Sequence, residues 1–324
     1  MKRTIYTIMF VCVAMLLASC SSEDEQARTP VATIDIDKTT LVTNESMELH
    51  FTGVADQVVV FTGDEGHVYQ EFGHGDIKEN TGIVVNKGLF TYSYAVPGVF
   101  HVVVVASTYN TYSGNGQKQA KYEFDITVKD DVNTIDNISF QSQAHNVFYA
   151  QQANDHDWVF CIPTMEVYGN KNVKTNVTKR PLIFDIASDS AKVFIDDVEY
   201  SSRSNYNLED KHAIKVISHE GNVREYTLWS LRYPEFSSIS VGGANGELIR
   251  DAFNQDIITY KFTGVAGTDT MAESHEDNVQ FLVNGAVPTS PIDYADTDNV
   301  YTLVRTSVEN ENIKAVTRIK FVFE

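Results

Sequence analysis

From residue 31 onward, apolar and polar positions alternate with period two in one short segment after another, and no stretch reads as a convincing amphipathic helix. Residues 47–51, 90–94 and 122–128 alternate, residues 58–61 form a short buried-strand run, and the Pro97-Gly98 turn leads into an apolar run ending at Ala106. Short strands punctuated by turn signals predict a β-sandwich over residues 31–129. A second block, 130–233, predicts strands at 135–140, 158–163, 182–187 and 191–195, then a hairpin of 212–218 and 224–231 turning at Glu220-Gly221-Asn222. The third block, 234–324, predicts strands at 257–262, 279–283, 300–304 and 318–323. Residues 262–266 repeat the pentapeptide of 51–55, which raises an internal repeat as a question. The pattern predicts an all-β chain of two or three tandem sandwiches.

The first thirty residues break this pattern. Lys2 and Arg3 precede an apolar segment that is too short to span a bilayer, ending in Leu17-Ala18-Ser19-Cys20. That tetrapeptide resembles the lipobox of bacterial lipoproteins. The resemblance implies a signal peptide over 1–19, cleavage before Cys20, and acylation of the Cys20 thiol as the anchor in outer-membrane lipid. The polar stretch from Cys20 to Pro30 predicts a flexible tether. Its acidic run, Ser21 to Glu25, resembles the export signal that places Bacteroidota lipoproteins on the extracellular side of the outer membrane.

Two further resemblances concern the blocks themselves. Residues 51–56 and 60–69, with Tyr92-Ser93-Tyr94, Pro97-Gly98 and the strand to Ala106, make 31–129 resemble a PKD-like, immunoglobulin-type domain, although Thr62 and Glu65 interrupt the family's core motif. The variant looks like N-terminal domains of lipoproteins accompanying polysaccharide-uptake systems. The order of segments in 130–233, a strand ending in Ile162-Pro163, an Ala-x-Val strand and a closing Glu220-Gly221 hairpin, resembles a cadherin-like repeat. These likenesses imply tandem immunoglobulin-like β-sandwiches, a polysaccharide as ligand and an outer-membrane transporter complex as partner.

Charge narrows the partners. The chain carries 25 basic and 44 acidic residues, and removing Lys2 and Arg3 with the signal leaves 23 against 44, a net −21. That balance argues against nucleic acid, whose phosphates need clustered Lys and Arg, and against docking on anionic lipid by charge. Of three cysteines, Cys12 leaves with the signal and Cys20 takes lipid, so Cys161 has no disulfide partner and reads as a small buried hydrophobe.

The sequence holds no nucleophile elbow, Walker loop, dinucleotide fingerprint, zincin motif or Cys-x-x-Cys, so no catalytic residue, metal site or cofactor is predicted and the chain reads as non-enzymatic. Two clusters carry metal-ligating residue types. His67, Glu71, His74 and Asp76 fall within ten residues but match no zinc spacing and suit a polar loop. Asp293, Asp296, Asp298 and Asn299 offer oxygens to calcium, or cap a solvated turn. Sugar recognition needs exposed ring faces beside amides and carboxylates. The candidates are Tyr109, Tyr112 and Asn115 in one polar loop, Tyr149 and Trp158 among polar neighbours, and Tyr294 beside the acidic loop. The favoured expectation is a glycan-binding accessory lipoprotein. The alternatives are a surface adhesin or protein-interaction module, and a carbohydrate-active enzyme.

Overall fold

The computed structural model describes residues 27–71, 80–85, 88–109, 116–251, 253–264, 266–289 and 291–324. The segment expected to be a signal peptide, Cys20 and most of the expected tether lie outside these residues, as do His74, Asp76, Tyr112 and Asn115. The described chain is all-β, and it divides into two compact units after Asp130. No described helix is long and apolar enough to cross a membrane.

The first unit is a sandwich of eight strands: β1 (Val31–Ile36), β2 (Thr40–Val42), β3 (Ser46–Val54), β4 (Gln57–Phe61), β5 (Ile83–Val85), β6 (Leu89–Ser93), β7 (Gly98–Thr108) and β8 (Lys118–Lys129). One sheet has the order β1-β3-β6 and the other β2-β8-β7-β4-β5. Strand β2 runs parallel to the last strand, β8, while the other pairs are antiparallel. An early strand that leaves one sheet to join the terminal strand of the other is the immunoglobulin-like arrangement.

Alternation explains the core. Met47 and Leu49 of β3 point inward against Val60, Val102, Val104 and Ile126, while Glu48 and His50 point out. Strand β7 alternates as far as His101 and is then buried throughout, because from Val102 onward both its faces are covered. Val102 and Val104 face the core, while Val103, Val105 and Ser107 are also buried on the outer face. Tyr94 closes one end: its ring stacks on Phe100 at 4.1 Å and its hydroxyl donates to the Thr62 carbonyl at 2.8 Å. Gly63, at φ +85°, is needed there, since a Cβ would come within 2.6 Å of the His101 carbonyl oxygen.

The second unit contains two further immunoglobulin-like sandwiches. In the first, a three-stranded sheet centres Ile135–Gln141 between Val147–Tyr149 and Leu182–Ile186. It faces a six-stranded sheet in which Asp157–Ile162 runs parallel to the closing strand Val223–Arg232, itself paired antiparallel with His212–Ile217. The hairpin turns where the sequence predicts it, with Gly221 at φ +88°. Phe140, Phe148 and Phe160 dominate the core.

The last sandwich repeats that plan. Ser238–Val241 is the middle strand of a three-stranded sheet, and Ile257–Phe262 runs parallel to the closing strand Lys314–Phe323. The structural repeat is therefore between the second and third sandwiches. The shared pentapeptide is a local likeness only: Phe51 lies in β3 between antiparallel neighbours, whereas Phe262 ends a strand parallel to the closing one. What the two copies share is a glycine of positive φ, +123° at Gly53 and +135° at Gly264.

The two sandwiches of the second unit meet through a small apolar cluster. Val159 and Cys161 from one face of Asp157–Ile162 pack on Ile313 and Ala315, flanked by Trp229, Leu231 and Tyr233. Thr317 donates its hydroxyl to the Pro234 carbonyl at 2.8 Å. Cys161 is buried and free, and burial pushes its thiol up to about 11.

Candidate functional site

The outer face of the larger sheet of the first sandwich carries a ligand-like surface. Strand pairing sets it out row by row. Gln57 of β4, Ser107 of β7 and Gln119 of β8 are cross-strand neighbours, and Val59 and Val105 form the next row. Side chains two apart on a strand share a face, so Gln57, Val59 and Phe61 look outward together, as do Val105, Ser107 and Tyr109. The turn after β4 folds residues 62–71 back toward the sheet. The Gly63 N–H donates to the His67 carbonyl at 3.1 Å, and Tyr69 meets Phe61 edge to face at 5.2 Å. On the way back, Gly82 lies so close to Val59 and Phe61 that a Cβ would sit 2.2 Å from a Val59 methyl.

The result is a hollow of about 270 Å³ with an apolar floor and a polar rim. Val59, Val105 and Phe61 make the floor, and Tyr69 and Tyr109 contribute rings. Five amides, those of Gln57, Gln70, Asn80, Gln117 and Gln119, supply paired donors and acceptors. Tyr109 is pinned rather than loose: its hydroxyl donates to Gln57 Oε1 at 2.7 Å and its N–H donates to Asp56 Oδ2 at 2.8 Å. The residue is still 45% exposed. Gln119 and Gln117 lie 3.3 and 3.4 Å from the Ser107 hydroxyl through their Nε2 groups. None of the described lining residues carries a formal charge, in a chain of net −19. Lys121 is near, 5.3 Å from the centre of the Tyr69 ring, but its ammonium is engaged by Glu123 at 2.5 Å.

The residues proposed from sequence scatter. Tyr109 is in the hollow, while Tyr112 and Asn115 lie outside the described residues. Tyr149 is 62% exposed on an edge strand of the second sandwich. Two choices are corrected by burial. Trp158 is 5% exposed within the core of the second sandwich, and Tyr294 is 8% exposed, stacked on Tyr301 and edge-on to Phe321. Neither presents a ring face to a ligand. Burial, with a contribution from Tyr301, raises the Tyr294 hydroxyl well above its ordinary range. The sequence reading missed Gln57, Tyr69, Gln70, Asn80, Ser107 and Gln119. A signal existed in two runs of alternate positions that mix valine with polar and aromatic residues: Gln57, Val59 and Phe61, and Val105, Ser107 and Tyr109.

The acidic cluster at 293–299 uses its oxygens on its own turn. Asp293 Oδ1 accepts from the Ala295 N–H, Asp296 Oδ1 from the Asp298 N–H, and the Asp293 carbonyl from Asn299 Nδ2. His67 places Nδ1 2.6 Å from the Thr81 carbonyl. Among the described residues, no three His, Cys, Asp or Glu side chains converge as a metal ion would require.

No protein-family model matches the chain, and no curated protein matches it. Solved structures do align with it at low similarity. Fibronectin(III)-like modules of Clostridium thermocellum CbhA share 11% identity over 62% of this chain and 95% of theirs, with a TM-score of 0.21. The Protocadherin GammaB4 extracellular domain shares 9% over 93% of this chain, TM-score 0.21, and the match spans about half of that domain, 52%. SGBP-B of the Bacteroides ovatus mixed-linkage glucan utilization locus, solved with a mixed-linkage heptasaccharide, shares 10% over 91% of this chain and 71% of its own, TM-score 0.19. Likenesses of this size carry no argument about function.

Proposed function

We propose that the chain is a non-enzymatic, surface-exposed outer-membrane lipoprotein that binds an uncharged glycan in the hollow of its first sandwich. The observation that carries this reading is the lining itself: tyrosine rings beside a cluster of amides, with no formal charge among the described lining residues, on an otherwise strongly acidic chain. A sugar offers C–H faces that stack on rings and hydroxyls that need both donors and acceptors; side-chain amides supply both at fixed spacing. An anionic glycan would meet no cation in the lining and would feel the repulsion of a net negative protein. The lipobox ending in Cys20 and the acidic run behind it support an anchor on the cell surface, where a polysaccharide would first be met. On this reading the chain serves as an accessory to a polysaccharide importer, with an outer-membrane transporter as its partner.

Affinity electrophoresis of the full chain through gels cast with neutral or uronic-acid polysaccharides tests the ligand class. Retardation by at least one neutral polysaccharide and none by the acidic ones is expected. Retention by none, with capture of a host surface protein instead, would replace this reading by that of an adhesin. For the anchor, Cys20→Ala is expected to move the chain out of the membrane fraction, and a variant still in that fraction would remove the lipoprotein assignment.

A further inference from the structure

A second feature lies within the second unit, where its two sandwiches join, and it is independent of the glycan hollow. Glu166, in strand Met165–Tyr168, is 1% exposed. Its Oε2 accepts from the Ser142 hydroxyl at 2.6 Å and from Asn146 Nδ2 at 2.8 Å, while its Oε1 has no partner. Across the joint, Arg250 ends strand Glu247–Arg250 and donates from Nη2 to Glu235 Oε2 at 2.7 Å, while its Nη1 has no partner. Gln255 likewise has a buried Oε1 without a partner. These three side chains, one from the second sandwich and two from the third, line the same small cavity together with Pro163 and Tyr233.

Size and chemistry together select the occupant. The cavity measures about 10 Å³, the scale of a single water molecule. Its fully buried groups without a partner are two acceptors, Glu166 Oε1 and Gln255 Oε1, and one donor, Arg250 Nη1, while the Glu235 and Asp251 carboxylates also line it. A cation would be turned away by the guanidinium, and an anion by the oxygens of Glu166 and Gln255 and the nearby Glu235 carboxylate. An apolar filler would leave all three groups unsatisfied, which buried polar atoms rarely tolerate. Water is amphoteric: it can donate twice and accept once in the same place. It would serve equally were the Gln255 amide turned over, by accepting from the amide nitrogen.

We infer that one structural water is built into this joint, donating to Glu166 and Gln255 and accepting from Arg250, and that it ties the second sandwich to the third. The apolar cluster of Val159, Cys161, Ile313 and Ala315 and the Thr317–Pro234 hydrogen bond are further contacts between the same two sandwiches.

The test is a high-resolution crystal structure of the full chain, purified in detergent, with urea unfolding of Gln255→Leu beside it. A single water within about 2.7–3.2 Å of all three atoms is expected. A dry cavity, an ion in it, or direct bonds among the three side chains would overturn the inference. Gln255→Leu removes one acceptor at a half-buried position, so the unfolding midpoint of the second unit is expected to fall at unchanged slope. An unchanged midpoint would show that the site needs no such bridge.

Discussion

Replacing Ile313 by alanine tests whether the joint between the second and third sandwiches is a packed core or a casual contact. Ile313 is fully buried although it lies in a turn before the closing strand, because it packs against Val159 and Cys161 of the neighbouring sandwich. The substitution deletes about three methylene equivalents, ~2.4 kcal/mol of transfer free energy at ~0.8 each. The void left between two pre-formed sheets adds a cavity term, so about 2–5 kcal/mol in total is expected. Urea unfolding of the full chain, followed by tryptophan fluorescence, is the assay. Both tryptophans, Trp158 and Trp229, lie in the second sandwich, and Trp229 borders the joint. Val308→Ala, at an 88% exposed position nearby in sequence, is the control and should change stability by less than about 0.5 kcal/mol. Combined with Val159→Ala, the pair should show a coupling of about 0.5–3 kcal/mol. A loss at Ile313 no larger than the control, or strict additivity with Val159→Ala, would refute the packed joint.

Three more outcomes follow from particular contacts. Tyr94→Phe removes the donor that the buried Thr62 carbonyl accepts from, and should destabilise the first sandwich by about 1–3 kcal/mol in thermal or urea unfolding. Hydrogen bonds from Asn222 and Ser218 hold the Asp131 carboxyl below its ordinary value, so its contribution to stability is present above about pH 4 and fades as pH falls through the folded value. Asp131→Asn should therefore melt below the wild type at neutral pH and draw level with it in acid. Burial raises the Cys161 thiol to about 11, so iodoacetamide at neutral pH should leave it unlabelled in the native chain and label it fully in urea.

The strands were legible because a half-buried strand writes period two into its sequence, as at Met47, Leu49 and Phe51. The exceptions turned out to be the informative places. Residues 158–162 are apolar without alternation, which marks a strand covered on both faces. Trp158, Phe160 and Ile162 fill the core of their own sandwich, and Val159 and Cys161 face the next one. Reading Trp158 as a ligand contact mistook that double burial for exposure beside a polar loop. Tyr294 misled for a related reason: its neighbours are acidic, but the chain turns its ring inward onto Phe321 and Phe323. The hollow was out of reach for another cause. It exists only because β4, β7 and β8 pair across the sheet, bringing Gln57, Ser107 and Gln119 into one row from distant points of the chain. Local pattern reports which face a side chain takes, and pairing alone reports its neighbours. The repeated pentapeptide shows the same limit, since identical residues at 51 and 262 sit in strands with different partners.

The central claim is that the hollow between Tyr69 and Tyr109 binds an uncharged glycan. Isothermal titration of the full chain with an oligosaccharide cut from whichever neutral polysaccharide retards it addresses that claim most directly, run beside Tyr69→Ala, Tyr109→Ala and Tyr149→Ala. Loss of either ring in the hollow should cost about 1–2 kcal/mol, a roughly five- to thirty-fold weaker Kd, or abolish binding, while Tyr149→Ala should bind as the wild type does. Wild-type affinity in both hollow variants, with all of them folded, would place the ligand elsewhere and contradict the account.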